Sequence, residues 1–176
     1  MKRAMRRLLR IPETTPDLDD QLLPVQSVLL DSEARRTLTR RLGVVGSWQG
    51  GSLFGRHDGG ALQVSLAFGL GIPGWAGHPL WPSLAFLVGA TEATEATMGP
   101  DIDWVGQWIA APDGRLPDLG DDLIWLTLGA KRGLFTERCP LVVIGLHDGY
   151  LHGRAYIWDE GEPVYVDCPS GRPVDR

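Results

Sequence analysis

Asp118, Asp121 and Asp122 crowd into PDLGDD, between a run that reads as a strand, VGQW, and one that opens as a helix, DDLIWL. Carboxylates where a strand gives way to a helix can hold a metal or move a proton, and α/β proteins commonly keep their ligands at such junctions. The intervening IAAP, residues 109–112, supplies no metal donor, no proton acceptor and no nucleophile. DWVGQWIAAPDGRLPDLGDDLIWL, residues 103–126, thus has the outline of an active site without its chemistry.

Other reactive residues do not obviously fill the gap. His57 lies beside a turn and His78 in a loop before a proline, so both are expected to face solvent. His147 and His152 flank Asp148-Gly149 and are placed to share one face of a hairpin, a weak basis for a metal site. Cys139 and Cys168 form neither a disulfide framework nor a zinc-binding pair, and are expected to be small packing residues in a reducing cytoplasm. No serine occupies a Gly-x-Ser-x-Gly elbow, although a nucleophile triad dispersed in sequence stays open. Gly69-x-Gly71-x-x-Gly74 has the letters of a dinucleotide fingerprint. The fingerprint needs its glycines to open a helix directly, and Pro73 interrupts.

The elements that must position these residues follow from pattern. At 176 residues, with 43% hydrophobic and 22% charged, the chain is expected to form one domain, residues 25–168, between an arm over 1–24 and a tail over 169–176. The net charge of −5 divides into +3 over residues 1–41 and −8 beyond. An acidic body lacking a basic stripe with interleaved aromatics makes nucleic acid an unlikely partner. No apolar run is long enough for a membrane helix, and MKRAMRRLLR lacks the apolar stretch of a secretory signal, so a cytoplasmic location is expected.

QSVLL reads as a strand, and Asp31 as the N-cap of SEARRTLTRRL, whose Ala34, Leu38 and Leu42 share a face that ends near Gly43. HDGG reads as a hairpin turn. Gly46, Gly50, Gly51 and Gly55 suggest close approach of other backbone. A helix is expected from Pro82 through SLAFLVGATEATEAT, with the repeat as a surface tail. DIDWVGQWI reads as a buried strand, DDLIWLTLGAKR as a helix ending at Gly133, PLVVIGLHDGYLHGRAYIW as a hairpin, and EPVYVDCP as a last strand. The fold class is α/β, a mixed sheet with helices on its faces. Trp75 and Trp81 flank a Gly/Pro-rich loop and are candidate partner-binding residues.

Three segments resemble, in order, the JAMM (JAB/MPN) family of zinc-dependent isopeptidases, which remove ubiquitin-like proteins. SWQGGSLFG is similar to that family's Glu-x-Gly-Gly-x-Leu-x-Gly strand. VGQWIAAP…LGDD is similar to its Gly-x-x-His-Ser/Thr-His-Pro segment and Ser-x-x-Asp helix start. PLVVIGLHDGYLHGRAYIW is similar to its closing hairpin. The resemblance spans residues 25–160 and implies a JAB/MPN-like, cytidine-deaminase-like mixed sheet. It also implies zinc on two histidines and an aspartate, a glutamate as general base and a serine at the oxyanion. Here Trp48 stands at the glutamate (Gln49 with a slip of one), Ile109 and Ala111 at the histidines, and Leu119 at the serine; only Asp122 matches.

The expectation is therefore an inactive relative with no cofactor, not an enzyme. It would bind a protein, either a ubiquitin-like protein or an active relative. Trp48, Ile109, Ala111 and Leu119 are expected to fill the former pocket as core, an apolar recognition pocket being the other reading. Asp122 must be exposed, paired or protonated and reads best as a helix-start residue, with Asp118 as the cap. Two other readings stay open: a hydrolase with a relocated site, and an interaction module using the basic arm on nucleic acid. The oligomeric state is not legible.

Overall fold

The computed structural model describes residues 23–42, 46–71 and 78–168. Strand β1 (Ser27–Leu30) leads to helix α1 (Ser32–Arg41), then strands β2 (Gln49–Asp58) and β3 (Ala61–Ala67). Helix α2 (Leu84–Met98), strand β4 (Asp103–Ala110) and helix α3 (Leu119–Ala130) follow. Strands β5 (Leu141–His147), β6 (Tyr150–Asp159) and β7 (Glu162–Val166) complete the elements of the described residues.

Local chemistry explains most boundaries. Asp31 Oδ1 accepts the backbone N–H groups of Glu33 and Ala34 at 3.1 and 3.0 Å, which caps α1. Gly59 and Gly60, at φ 54° and 92°, close the β2–β3 hairpin; Asp148 and Gly149, at 51° and 80°, close β5–β6. Two consecutive left-handed residues give the turn whose twist suits paired strands. Ser83 accepts the Phe86 N–H and caps α2, so Pro82 precedes the helix instead of opening it. The ATEATEAT stretch is more than a surface tail. Its three-residue period turns Thr91 and Thr94 inward and leaves Glu92 and Glu95 exposed.

The seven strands form one mixed sheet in the order β1-β3-β2-β4-β5-β6-β7, with β1–β3 and β4–β5 parallel. Its two ends meet. The Val28 N–H donates to the Asp167 carbonyl at 2.7 Å, and the Asp167 N–H donates to Gln26 at 3.0 Å, so the sheet curls into a ring. Closure removes the exposed edges that an open sheet presents. All seven strands send apolar side chains into one shared core with Ala34 and Leu38 of α1. A second core, on the other face, gathers Phe54, Ile109, Leu141 and Val143 beneath Leu87 of α2 and Leu126 of α3.

Two glycines of β2 let the chain pack on both faces at once. Trp108 lies opposite Gly51, and its indole N–H donates to the Phe68 carbonyl at 2.8 Å. That carbonyl also accepts the Ser52 N–H at 3.1 Å, and a Cβ on Gly51 would lie 1.8 Å from it. On Gly50 a Cβ would meet the Pro79 carbonyl at 2.0 Å, and on Gly55 the Gln63 carbonyl at 1.9 Å. Gly46 departs from the expectation: nothing lies within 4 Å of its Cβ position, and it serves a left-handed turn at φ 118° instead. Gly43 lies outside the described residues.

Gly51→Ala is expected to lower stability by about 3 kcal/mol, because backbone rather than a flexible side chain must move. Gly89→Ala, exposed in α2 with open space at its Cβ, is expected to raise it by about 0.5–1 kcal/mol. Urea unfolding of the two variants beside the parent checks both signs.

Candidate functional site

The β4–α3 junction lies on the face that carries the second core. Cross-strand register makes two neighbouring rows there. One runs Gly50, Ile109, Val143, Arg154 and the other Ser52, Gln107, Leu141, Tyr156, Tyr165. Residues side by side in register share a face, so the rows bring Ile109 and Arg154 to one side of the sheet across β5. α3 lies over the far end of these rows.

Asp122, in the first turn of α3, is fully buried at 0% exposure. Its Oδ2 accepts the Tyr156 hydroxyl at 2.7 Å. Arg154 Nε stands 2.9 Å from the same oxygen, an ion pair whose N–H is not well aimed for a hydrogen bond. Oδ1 has no hydrogen-bond partner among the described residues. Burial pushes the Asp122 carboxyl above its usual 3.8; the Tyr156 hydroxyl and then the Arg154 guanidinium pull it part of the way back. Burial and the neighbouring carboxylate drive the Tyr156 phenol up, so it remains a hydroxyl donor at neutral pH.

Arg154 also donates to the Pro117 carbonyl, fastening the loop that precedes α3 onto β6. The same loop lies on β5, where a Cβ on Gly145 would meet the Leu116 nitrogen at 2.2 Å and the Leu146 N–H donates to the Gly114 carbonyl at 2.7 Å. Asp122, in the first turn of α3, is thus buried and paired with Tyr156 and Arg154 and not in contact with water. Asp118 does sit at the N-cap, but its side chain makes no capping bond; its carbonyl accepts the Asp121 and Asp122 N–H groups instead.

The remaining site positions divide. Ile109 is fully buried in the second core, and Ala111 is buried one residue beyond β4, where its carbonyl accepts the Gly114 N–H. Leu119 does not fill a pocket: at the tip of α3 it is 60% exposed, because the helix turns Asp122 and Leu126 inward and leaves its first residue outside. Trp48 is half-buried on the same core, its ring 5.1 Å from that of Trp125 on α3.

An aromatic cluster extends from Trp48. His78 meets Trp125 edge-on at 4.9 Å and stacks on Trp81 at 4.5 Å, with the Arg132 guanidinium 4.2 Å over the Trp81 ring. His78 is therefore half-buried, not solvent-facing, and its Nδ1 accepts the Leu80 N–H at 3.4 Å. Burial, and then the Arg132 charge, hold its imidazole below the usual 6.5, so it is neutral at pH 7. Trp75 lies outside the described residues.

His147 and His152 do share a face at the β5–β6 tip, with ring centroids 5.5 Å apart and Asp148 3.6 Å from His147. Among the described residues no three His, Cys, Asp or Glu side chains converge on a metal position. Cys139 and Cys168 are free and buried, and burial pushes the Cys168 thiol to about 11, which leaves it protonated.

Arg154, Tyr156, Trp125 and Arg132 escaped the sequence reading. One signal was present: Arg154 is a lone charge in the otherwise uncharged GRAYIW, and a charge there needs a counter-charge.

No family model and no curated protein matches the chain. Among solved structures, the solution structure of protein DSY2949 from Desulfitobacterium hafniense is similar, with a TM-score of 0.54 at 12% identity over 81% of this chain and 91% of that one. At this identity the likeness concerns the α/β fold alone.

The Asp122 shift fixes a pH dependence. A carboxyl raised in the folded state binds its proton more readily there than when unfolded. Stability is therefore lost as pH rises from about 3.8 through the raised value. Asp122→Asn is expected to remove that slope. Arg154→Leu is expected to cost about 3 kcal/mol at pH 7, a deficit that shrinks in acid as Asp122 takes up a proton. Denaturant midpoints of parent and both variants between pH 3 and 7 check the directions.

Proposed function

We propose that the chain is a catalytically inactive JAMM-like domain of the MPN type that works by binding protein, either a ubiquitin-like protein or an active relative. The curled mixed sheet, the helix after its first strand and the β4–loop–α3 junction all support the likeness. The observation that carries the loss of chemistry is the state of Asp122. The one retained site residue has its Oδ2 held by Tyr156 and Arg154. The other positions that the resemblance names, Trp48, Ile109, Ala111 and Leu119, supply no metal donor.

The zinc that the resemblance implies does not fit these residues. A cation at Asp122 would have to displace the Arg154 guanidinium, which already supplies the positive charge. The donor set would then be one carboxylate, where a catalytic zinc takes three protein ligands.

The aromatic cluster of Trp48, Trp125, His78 and Trp81 is the face that this reading assigns to the partner. It is half-buried and apolar, and aromatic anchors of this kind are enriched where proteins meet.

Incubation of the purified full chain with zinc and an isopeptide-linked ubiquitin-like substrate is expected to give no cleavage. Tryptophan fluorescence should respond to a saturating ubiquitin-like protein or active relative and weaken in response with Trp81→Ala. Turnover abolished by a chelator would reject the reading. Ile109→His with Ala111→His is expected to cost about 3 kcal/mol, since imidazoles enter a dry core. Zinc is not expected to restore that loss; a zinc-dependent recovery of the melting temperature would place a metal site here after all.

A further inference from the structure

Apart from Asp121, the exposed outer positions of α3 are apolar, where a solvent-facing helix normally carries polar residues. Its inner face is Asp122, Leu126 and Gly129. Its outer side exposes Ile124 at 58% and Leu128 at 40%. The other helices of the described residues differ: α1 shows Arg36, Arg40 and Arg41 to solvent, and α2 shows Glu92 and Glu95. A helix with large apolar residues on its outer as well as its inner side belongs in an interior or an interface.

The charges at the two ends of this face indicate what covers it. Asp121 and Lys131 are both exposed, and the described residues offer no ion pair to either. At about 100° per residue, Asp121, Ile124, Leu128 and Lys131 fall within an arc of about 80°. Both pairs, Ile124 with Leu128 and Asp121 with Lys131, straddle position 126 symmetrically. A twofold axis crossing α3 at that height would set an antiparallel α3 from a second chain against it. Ile124 would then meet the other chain's Leu128, and Asp121, about 15 Å along the helix from Lys131, would meet the other chain's Lys131. One surface would supply both halves of an isologous interface.

We infer that this face of α3 docks a second copy of this chain. The like-with-like arrangement puts the acidic start of each helix against the basic end of the other, so it closes as a dimer and does not propagate. It leaves the Trp48–Trp125 side of α3 free, and it stands whether or not the proposed partner binding holds.

Sedimentation equilibrium of the full chain is expected to show a concentration-dependent mass approaching twice that of one chain. Ile124→Lys should raise the dimer Kd at least about a hundredfold. Asp121→Lys alone and Lys131→Asp alone should each raise it about tenfold, because each opposes like charges. Mixing these two charge variants should return the Kd to the parental value, since every Lys then again faces an Asp. A variant that was merely misfolded could not be rescued by mixing. A chain still monomeric at about 100 μM overturns the inference in favour of another protein, or of residues 1–22, as the cover. A dimer indifferent to Ile124→Lys overturns the surface, and failure of the mixture to recover overturns the antiparallel register.

Discussion

Asp122 is withdrawn from water, and its charge has to be met where it lies. Arg154 and Tyr156 meet it from β6, two residues apart on one face of the strand. That requirement organises the neighbourhood. The first turn of α3 must sit over β6, and the loop that delivers it must lie flat on β5. Arg154 secures both by holding the Pro117 carbonyl as well as the carboxylate. Glycine at position 145 is the matching concession, since a side chain there would strike the backbone of Leu116. A neutral residue at 122 would leave the guanidinium without its counter-charge, and a neutral residue at 154 would leave the carboxylate without one.

The ring closure has a comparable reach. Once Asp167 bonds to Gln26 and Val28, strands from both ends of the chain enclose one core. The two faces of the wall then have separate roles. The enclosed face is filled by apolar side chains and α1. The outer face carries α2, α3 and the β4–α3 junction. Gly50 and Gly51, adjacent in β2, serve opposite faces: one admits the chain at Pro79, the other the Phe68 carbonyl that Trp108 needs. A motif read first as part of a catalytic strand is explained by packing that any function of this fold would require.

Much of the architecture was legible because it is written locally. The Asp31 cap, the HDGG and HDGY turns, the 3.6-residue spacing of Ala34, Leu38 and Leu42, and the apolar runs of β4 and β5 depend on residues within one turn or one strand. The site was less legible. Leu119 looked like pocket filling because it is apolar where the resemblance implies a serine, but the rotation of α3 is set by where Asp122 points. His78 looked solvent-facing because its loop is rich in glycine and proline, but tryptophans at positions 81 and 125 enclose it.

The sequence by itself determined the order of elements, the α/β class and the absence of donors at 109 and 111, since side-chain chemistry and periodicity do not wait on packing. Only the tertiary structure decided that Asp122 is buried, that Arg154 from β6 neutralises it, and that Trp48 reaches Trp125. Those contacts join residues 32 to 77 positions apart. Nothing local encodes them, and they exist only because the strand order sets β4 beside β5 and β5 beside β6, with α3 laid across the top.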